Sequence, residues 1–320
     1  MEKDPIYSSD KLIERAIEIA HKGRKKKVAV AAAQDFAVIE AVSEAAADGF
    51  IDGILIGDGN LIKKLATENN VDINHLEVID IKQVTDAAHY AAKLASESSA
   101  DAIMKGFLPT SALLKVVLDK QYNLRSENTL SHCAVLDIPG YHKLLNLTDG
   151  GMVVKPDQEQ KLQILENAIL VGHALGLSPV KIAISGAYEK PNRNVPHSLS
   201  DIDYIIPRAL EKNKDIAIQG PLPFDLATSQ KAATYQHSSG SVVGDADIYL
   251  VDSIEECNII AKSLVQFAQA VFAGVIVGAK VPVSLVSRTD SVKNKKASLA
   301  LACVLSDYYL QNNIWGKGKK

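Results

Sequence analysis

The chain has 320 residues, 47% of them hydrophobic, and 35 Lys and Arg against 38 Asp and Glu give a net charge of −3. This balance leaves no excess of cations for the phosphate backbone of nucleic acid, so a nucleic-acid-binding protein is not expected. No segment reaches the roughly 18 uninterrupted apolar residues of a membrane span, and the charged N-terminus lacks the apolar stretch of a signal peptide. Cys133, Cys257 and Cys303 lie far apart in apolar surroundings and are predicted to be buried thiols. A soluble, cytoplasmic protein is predicted.

Short β-branched runs alternate with helix-patterned segments through the first part of the chain. This alternation predicts an α/β fold with largely parallel sheets. A helix is predicted over 9–22, and another begins after Pro109. Strands are predicted at 27–33, 53–57, 76–80 and 101–106, with helices between them at 36–48, 60–69 and 83–98.

The alternation weakens between Tyr122 and Pro156, where two strands are predicted to be joined through Pro139 and Gly140. This break predicts a crossing between two domains. The pattern then resumes, and a polar, Ser- and Gly-rich stretch lies at 236–245. Further strands are predicted at 180–187, 215–221, 246–252, 273–279 and 281–287, and helices at 158–175, 199–212, 254–270 and 291–312.

Polar side chains and glycines collect beside the ends of several predicted strands. In parallel sheets ligands bind at the carboxyl ends of the strands, where helix N-termini present unpaired N–H groups. The residues found there are Lys105, Thr110, Ser111, Thr129, Ser131, His132, Glu189, Lys190, Asn192, Gly220, Pro221, Ser287 and Arg288. Hydroxyls, glycines and a few cations suit phosphate better than a metal. The eight histidines also lack the spacing of metal ligands, so no metal site is expected.

Ser287 and Arg288 stand where an apolar strand gives way to a helix. A hydroxyl and a planar, permanently charged donor at a helix N-terminus favour an anion. The alternative is that Ser287 or Ser291 caps the final helix while Arg288 pairs with a surface acid. The chain has no GxxxxGK[ST] loop, no GxGxxG after the first strand and no GxSxG elbow, which argues against three common nucleotide and hydrolase sites.

Four stretches, "MKGFLPT", "LSH", "GPLPFD" and "SRTDS…K", follow one another in order among further matching segments within residues 27–305. In these stretches the chain resembles the phosphate acetyl/butyryltransferase family, and more closely its butyryltransferase branch. The resemblance implies two domains similar to isocitrate and isopropylmalate dehydrogenases, with the active site in the cleft between them. One domain would comprise residues 1–135 plus 280–320, and the other 136–279.

The resemblance also implies a reaction. A short-chain acyl group, butyryl or a branched analogue, would move reversibly between coenzyme A and inorganic phosphate within a ternary complex. A downstream acyl kinase, such as a butyrate kinase of fermentation, would consume the acyl phosphate. Coenzyme A and phosphate would be substrates, and no tightly bound cofactor is implied. The family forms dimers and larger assemblies, and the apolar segment at 263–274 needs a cover, so a homo-oligomer is expected.

Individual roles follow from the same resemblance. Ser287 would hydrogen-bond the developing charge, and Arg288 would hold phosphate. Thr129, Ser131 and His132 match the phosphate segment, while Gly278, Ala279, Gly220 and Pro221 are assigned to coenzyme A. Thr110, Ser111 and Glu189 are added as phosphate or acyl contacts.

Two departures from the family's acetyltransferases leave alternatives open. Their carboxylate falls seven residues after the serine, where this chain has Asn294, so Asp290 becomes the candidate base, or the thiol reacts unassisted. Their LRKHKG segment is missing, so Lys105 or Arg125 would supply the second phosphate cation. Phosphate acetyltransferase and a non-catalytic coenzyme A- or phosphate-binding protein remain alternatives. A dehydrogenase of the same fold would need an aspartate cluster, which Asp245 and Asp247 match only weakly.

Overall fold

A computed structural model describes residues 4–189 and 196–316. The chain divides into two compact units. The terminal unit comprises Ser9–Asn128 and Val271–Lys320, and the middle unit comprises Met1–Ser8 and Thr129–Ala270. No helix in the described ranges is long and apolar enough to cross a membrane.

The terminal unit is a sheet covered by helices. Its strands are β1 Lys26–Ala31, β2 Ile51–Gly57, β3 Glu77–Asp80, β4 Ala102–Lys105, β10 Val271–Val277 and β11 Val283–Ser284. Its helices are α1 Ser9–Lys22, α2 Phe36–Ala47, α3 Gly59–Glu68, α4 Val84–Ser96, α5 Thr110–Val117 and α11 Val292–Gln311, with 3₁₀ turns at Lys120–Tyr122 and Ile314–Gly316. The strand order is β3-β2-β1-β4-β11-β10, and all neighbours are parallel except β10 and β11.

The middle unit has a smaller sheet of the same kind. Its strands are β5 Ser131–Asp137, β6 Leu144–Thr148, β7 Val180–Ser185, β8 Ile216–Leu222 and β9 Ile248–Leu250. Its helices are α6 Gln158–Ala174, α7 Pro196–Lys212, α8 Phe224–Thr228, α9 Gln230–Tyr235 and α10 Ile254–Ala268. The order is β5-β6-β9-β7-β8, with β5 and β6 antiparallel and the other pairs parallel.

The predicted fold class, α/β with largely parallel sheets, is confirmed, and the predicted helices and strands occur in the predicted order. The predicted strand 281–287 is reduced to Val283–Ser284, because the chain has left β4 by Leu285 and turns toward α11. The short helices α8 and α9 were not predicted. Helix α8 has five residues and α9 has six, which is too few for a helical period to show in the sequence.

The bounds of the two units differ from the predicted domain bounds in three places. Residues 4–8 belong to the middle unit, and the chain crosses between the units after Ser8, after Asn128 and after Ala270, where crossings only after 135 and 279 were predicted. Strand β5 lies in the middle unit because it pairs with β6. Strand β10 lies in the terminal unit because it pairs with β11 and packs against α11.

A single carboxylate organises the loop that follows β6 in the middle unit. Asp149 is 3% exposed and accepts backbone hydrogen bonds from His132 (2.9 Å), Gly151 (2.9 Å), Met152 (3.1 Å) and Val153 (2.8 Å). An ionised carboxylate accepts stronger hydrogen bonds than a neutral group does. Asp149 therefore joins the first residues of β5 to the end of β6.

Replacing Asp149 by alanine leaves four backbone donors without this acceptor. We expect Asp149→Ala to lower the free energy of unfolding by at least ~3 kcal/mol, measured by urea denaturation. Asp119→Ala is the control, because Asp119 is only half-buried and also accepts a backbone hydrogen bond, from Gln121 at 3.0 Å. Equal losses in the two variants would contradict the role given to Asp149.

Candidate functional site

The polar residues of the terminal unit gather at the carboxyl ends of β1, β4 and β11. These ends are adjacent because β4 pairs with both β1 and β11. The chain leaves β4 through Gly106, where an added Cβ would lie 2.1 Å from the carbonyl oxygen of Ala32. Only glycine allows this approach, and it brings Phe107 N–H to within 2.6 Å of the same carbonyl oxygen.

Residues 287–290 form a tight turn between β11 and α11. The N–H of Asp290 donates to the carbonyl of Ser287 at 3.2 Å, and the N–H of Ser287 donates to Asp290 Oδ2 at 2.5 Å. The hydroxyls of Ser287 and Thr289 are 3.0 Å apart. Ser291, not Ser287, caps α11: its Oγ accepts from the N–H of Asn294 at 3.2 Å. Ser287 is thus left exposed at the surface of the turn.

Arg288 is also exposed, and its guanidinium lies over the ring of Phe107, 4.6 Å from the ring centroid. Over residues 4–189 and 196–316, no carboxylate lies within ion-pair distance of it. The aromatic face orients the guanidinium without neutralising it. Arg288 therefore keeps its charge available for an anion.

Lys105 provides a second cation at the end of β4. It is 6% exposed, and its Nζ donates to the carbonyls of Gly106 (3.2 Å) and Leu108 (3.3 Å). Burial lowers the pKa of Lys105, and the neighbouring charges of Arg288 and Lys295 lower it further. An anion bound here would offset the mutual repulsion of these cations.

The N-terminus of α5 opens at the same end of the sheet. The helix begins at Thr110 after Pro109, and no side chain accepts a hydrogen bond from its first N–H groups. Thr110 is half-buried and Ser111 is exposed. A helix N-terminus and two cations together form an anion-binding arrangement.

Asn294 and Asp290 are tied to each other. Asn294 Oδ1 accepts from the N–H of Phe272 at 3.2 Å, and its Nδ2 donates to Asp290 Oδ1 at 3.4 Å. Asn294 thus fixes the start of α11 against β10. The 3.4 Å contact is long for a hydrogen bond, so Asp290 Oδ1 can still accept a hydrogen bond from another donor.

The other predicted residues of the terminal unit lie where β10 ends. Gly278 has a φ of +94°, and its carbonyl accepts from the hydroxyl of Ser126 at 2.5 Å. The buried Ala279 forms an antiparallel bridge with Arg125, whose side chain is exposed. These residues form one local structure, distinct from the turn at 287–290.

In the middle unit, Thr129 and Ser131 are held by α6. The hydroxyl of Thr129 donates to Gln163 Oε1 at 2.6 Å, and Asn167 Nδ2 donates to Ser131 Oγ at 2.9 Å. Ser131 is fully buried. His132 is 5% exposed and lies at the carboxyl end of β6, where its N–H meets Asp149.

Three more predicted residues lie near the carboxyl ends of β7 and β8 in the middle unit. Glu189 accepts a hydrogen bond from Ser238. Gly220 and Pro221 form part of β8, and Pro221 packs against Gly186 so closely that an added Cβ would lie 2.3 Å away. The predictions at Lys190 and Asn192 lie outside the described residues.

Asp245 and Asp247, the pair that a dehydrogenase of this fold would need, are bound by lysine and histidine side chains of the protein itself. Asp245 pairs with Lys143 and His142 at 2.8 and 2.7 Å, and with Lys181. Burial opposes its ionisation, but these donors hold the pKa of Asp245 well below its usual range. Asp247 pairs with Lys143 at 2.7 Å. In the described ranges, no group of three or more His, Cys, Asp and Glu residues could hold a metal ion.

Sequence reasoning missed Asp35, Phe107 and Lys295. Asp35 follows β1 in "AAAQD" and caps α2, so the rule applied to the other strands could have found it. Phe107 stands among the residues after β4 but has no polar atom. Lys295 lies in "VKNKK", a stretch with the composition of a solvated helix face, and nothing in the sequence marks it as buried.

Comparisons with known proteins show which family the chain belongs to. Residues 11–86 and 81–303 match the family described as phosphate acetyl/butaryl transferase. The chain is 40% identical over 286 residues to a probable phosphate butyryltransferase of Bacillus subtilis, covering 89% of this chain and 95% of that protein. It is 34% identical over 294 residues to a phosphate acetyltransferase of Thermotoga maritima, covering 92% and 99%.

Solved structures are also similar. The crystal structure of a branched-chain phosphotransacylase from Enterococcus faecalis is 31% identical, covers 88% of this chain and 99% of its own, and superposes with a TM-score of 0.78. A 4-hydroxythreonine-4-phosphate dehydrogenase from Klebsiella pneumoniae shares the fold alone, at 13% identity over 88% of this chain and 99% of its own, with a TM-score of 0.56.

Proposed function

Because the chain belongs to the phosphate acetyl/butyryltransferase family and is therefore a phosphate acyltransferase, we propose that it moves a butyryl or similar short or branched acyl group. The transfer runs reversibly between the sulfur of coenzyme A and inorganic phosphate, within a ternary complex. The arrangement of Ser287, Arg288 and Lys105 at the end of one sheet is the observation that carries the proposal. Relatives named as acetyltransferases are also similar, so phosphate acetyltransferase is the alternative.

Phosphate binds between Arg288 and Lys105 in this proposal. Arg288 is exposed and without a carboxylate partner in the described ranges, and Lys105 is held beside it by two carbonyls. The open N–H groups of α5 at Thr110 and Ser111 supply further donors. Orienting phosphate against a bound thioester converts a bimolecular step into an effectively unimolecular one.

The chemical step is a single displacement at the acyl carbon. A phosphate oxygen forms a bond to the thioester carbonyl carbon, the carbon–sulfur bond breaks, and coenzyme A leaves as the thiolate. Ser287 donates a hydrogen bond to the charge that develops in the transition state. The phosphate gives up a proton as it becomes acylated and the thiolate takes one up, so the products are the acyl phosphate and free coenzyme A.

In the reverse direction the thiol must lose its proton before it attacks the acyl phosphate. Asp290 is the carboxylate nearest to Ser287 in the chain, and its Oδ1 has only the long contact to Asn294. We assign Asp290 as the proton acceptor. Direct reaction of the thiolate, without a base, is the alternative, because a thiol ionises close to neutral pH.

The remaining residues keep their predicted roles as proposals. Thr129, Ser131, His132 and Glu189 are assigned to phosphate or the acyl group, although Thr129 and Ser131 already bond to α6. Arg125 is a further phosphate cation. Gly220, Pro221, Gly278 and Ala279 are assigned to coenzyme A, which binds as a substrate with no tightly bound cofactor. An acyl kinase in the cytoplasm, such as a butyrate kinase of fermentation, would use the product.

We also propose a homo-oligomer, in which α10 provides an interface. Ile259 is 67% and Phe267 is 84% exposed, although both are large and apolar. Phe267 lies on the same side of α10 as the half-buried Ile260 and Leu264, and Ile259 lies beside this face. A second copy of the chain would remove this face from water.

The central test is phosphate-dependent release of free thiol from purified protein and acyl-CoA. We expect release with butyryl-CoA, faster than with acetyl-CoA. Ser287→Ala and Arg288→Ala should each lower turnover at least ~100-fold, because each removes a charge-stabilising donor. Absence of release with every acyl-CoA of two to five carbons would contradict the proposal, and a higher rate with acetyl-CoA would favour the alternative.

Two control variants separate catalysis from folding. Arg208→Ala removes another arginine that lies over an aromatic ring, at 3.7 Å from the centroid of Tyr204. Ser253→Ala removes a serine that caps α10. We expect both controls to retain turnover. If they lose as much as the variants of Ser287 and Arg288, the losses do not report on the site.

The lowered pKa of Lys105 predicts an alkaline loss of phosphate affinity. Phosphate needs the protonated ammonium, and burial makes this group lose its proton below the ordinary lysine value of 10.5. The KM for phosphate should therefore rise with pH before 10.5 is reached. Lys105→Arg keeps its charge and should lack this rise. Identical pH profiles for the wild type and Lys105→Arg would contradict the assignment.

The interface on α10 is tested by light scattering. We expect the wild type to have the mass of an oligomer and the double variant Ile259→Glu, Phe267→Glu to have the mass of a monomer. The two new carboxylates would be desolvated in the interface, which is costly. Tyr235→Glu is the control, since Tyr235 is 87% exposed but lies on α9. A monomeric wild type, or a double variant of unchanged mass, would contradict the proposal.

A further inference from the structure

We propose that Lys295 is a positioning residue, which holds the turn at 287–290 so that Ser287 and Arg288 face their substrates. The inference rests on the proposed function of that turn. It concerns a residue of α11 that touches the backbone of the turn and not its side chains.

The contacts of Lys295 converge on one short segment. Its Nζ donates to the carbonyl of Asp290 at 2.5 Å, with longer contacts to the carbonyls of Ser287 at 3.4 Å and Arg288 at 3.5 Å. An ammonium has three N–H donors, and three carbonyls surround this one. The side chain is 1% exposed, so the ammonium lies beneath the turn while Ser287 and Arg288 remain exposed above it.

Burying this charge is costly for the fold. Over residues 4–189 and 196–316, no carboxylate lies within ion-pair distance of Lys295, and an ammonium is normally buried only with such a partner. Burial accordingly lowers its pKa, while the more distant charges of Asp35 and Asp290 raise it. A neutral, apolar side chain would fill the same space at lower cost. The ammonium is therefore explained better by what it does to the turn than by what it does for stability.

The neighbouring lysines are either exposed or paired with carboxylates, unlike Lys295. Lys293 is exposed. Lys296 pairs with Glu44 at 3.1 Å and Asp48 at 2.8 Å, which ties α11 to α2. Of these three lysines of "VKNKK", only Lys295 directs its donors at the turn. A phosphate bound by Arg288 would add a negative charge on the far side of the turn and favour the protonated form of Lys295.

The first experiment measures the kinetics of Lys295→Met, which keeps the length of the side chain and removes its donors. We expect kcat to fall at least ~10-fold and the KM for phosphate to rise several-fold, while the KM for acyl-CoA changes less than about twofold. Lys295→Arg retains donors and should recover most of the lost activity. Lys295→Gln serves if the methionine variant does not fold.

The control is Lys26→Met, which removes another buried lysine of the terminal unit. Lys26 is 5% exposed and pairs with Asp307 at 3.0 Å. It should lose thermal stability and keep wild-type kinetic constants. The inference is overturned if Lys295→Met keeps wild-type constants, or if kcat and both KM values change in proportion in the two variants.

A second experiment does not depend on the reaction. Trypsin cleaves after arginine, and the exposed bond between Arg288 and Thr289 lies in the turn. Cleavage there, followed by mass spectrometry, should be at least ~10-fold faster in Lys295→Met than in Lys26→Met. Equal rates would overturn the inference even if the wild type shows turnover. The proposed function would be contradicted if the wild type shows no turnover. If Lys295→Met is then still cleaved faster than Lys26→Met, the inference that Lys295 holds the turn would stand.

Discussion

The burial of α11 is the constraint on which the terminal unit depends. This helix packs against α1, α2 and β10, and the greater part of its length from Asn294 to Ser306 is buried. A helix enclosed in this way cannot rotate or slide without opening the core. Its N-terminus is therefore a fixed point. The turn at 287–290, which immediately precedes it, takes its position from the core and not from the surface.

The same constraint explains how buried polar groups and exposed polar groups can lie next to each other at the turn. Asn294 and Lys295, both buried, carry the amide and the ammonium that bind the turn from below. Ser291 satisfies the start of the helix, which frees Ser287 from capping. Division of these tasks among neighbouring residues leaves the hydroxyl of Ser287 and the guanidinium of Arg288 exposed, as their proposed contacts with substrate require.

Charge balance at the end of the sheet favours an anion. Lys105, Arg288 and Lys295 bring three cations, and Asp35 and Asp290 are the carboxylates that act on the buried lysines. None of the three cations is in an ion pair within the described ranges. A bound phosphate would complete this balance, which supports the proposal that the cluster is a phosphate site.

The sequence by itself determined the order of helices and strands, because hydrophobic period and strand-end polarity are local properties of the chain. It also identified Ser287, Arg288 and Lys105 as candidate site residues, since each stands at the end of a predicted strand. It left open whether Ser287 or Ser291 caps α11, and only the hydrogen bond from the N–H of Asn294 decided that. The burial and contacts of Lys295, from which its positioning role is proposed, were decided by tertiary structure alone. In the sequence Lys295 lies in a lysine-rich stretch. Only the packing of α11 buries this position and directs its ammonium at the turn.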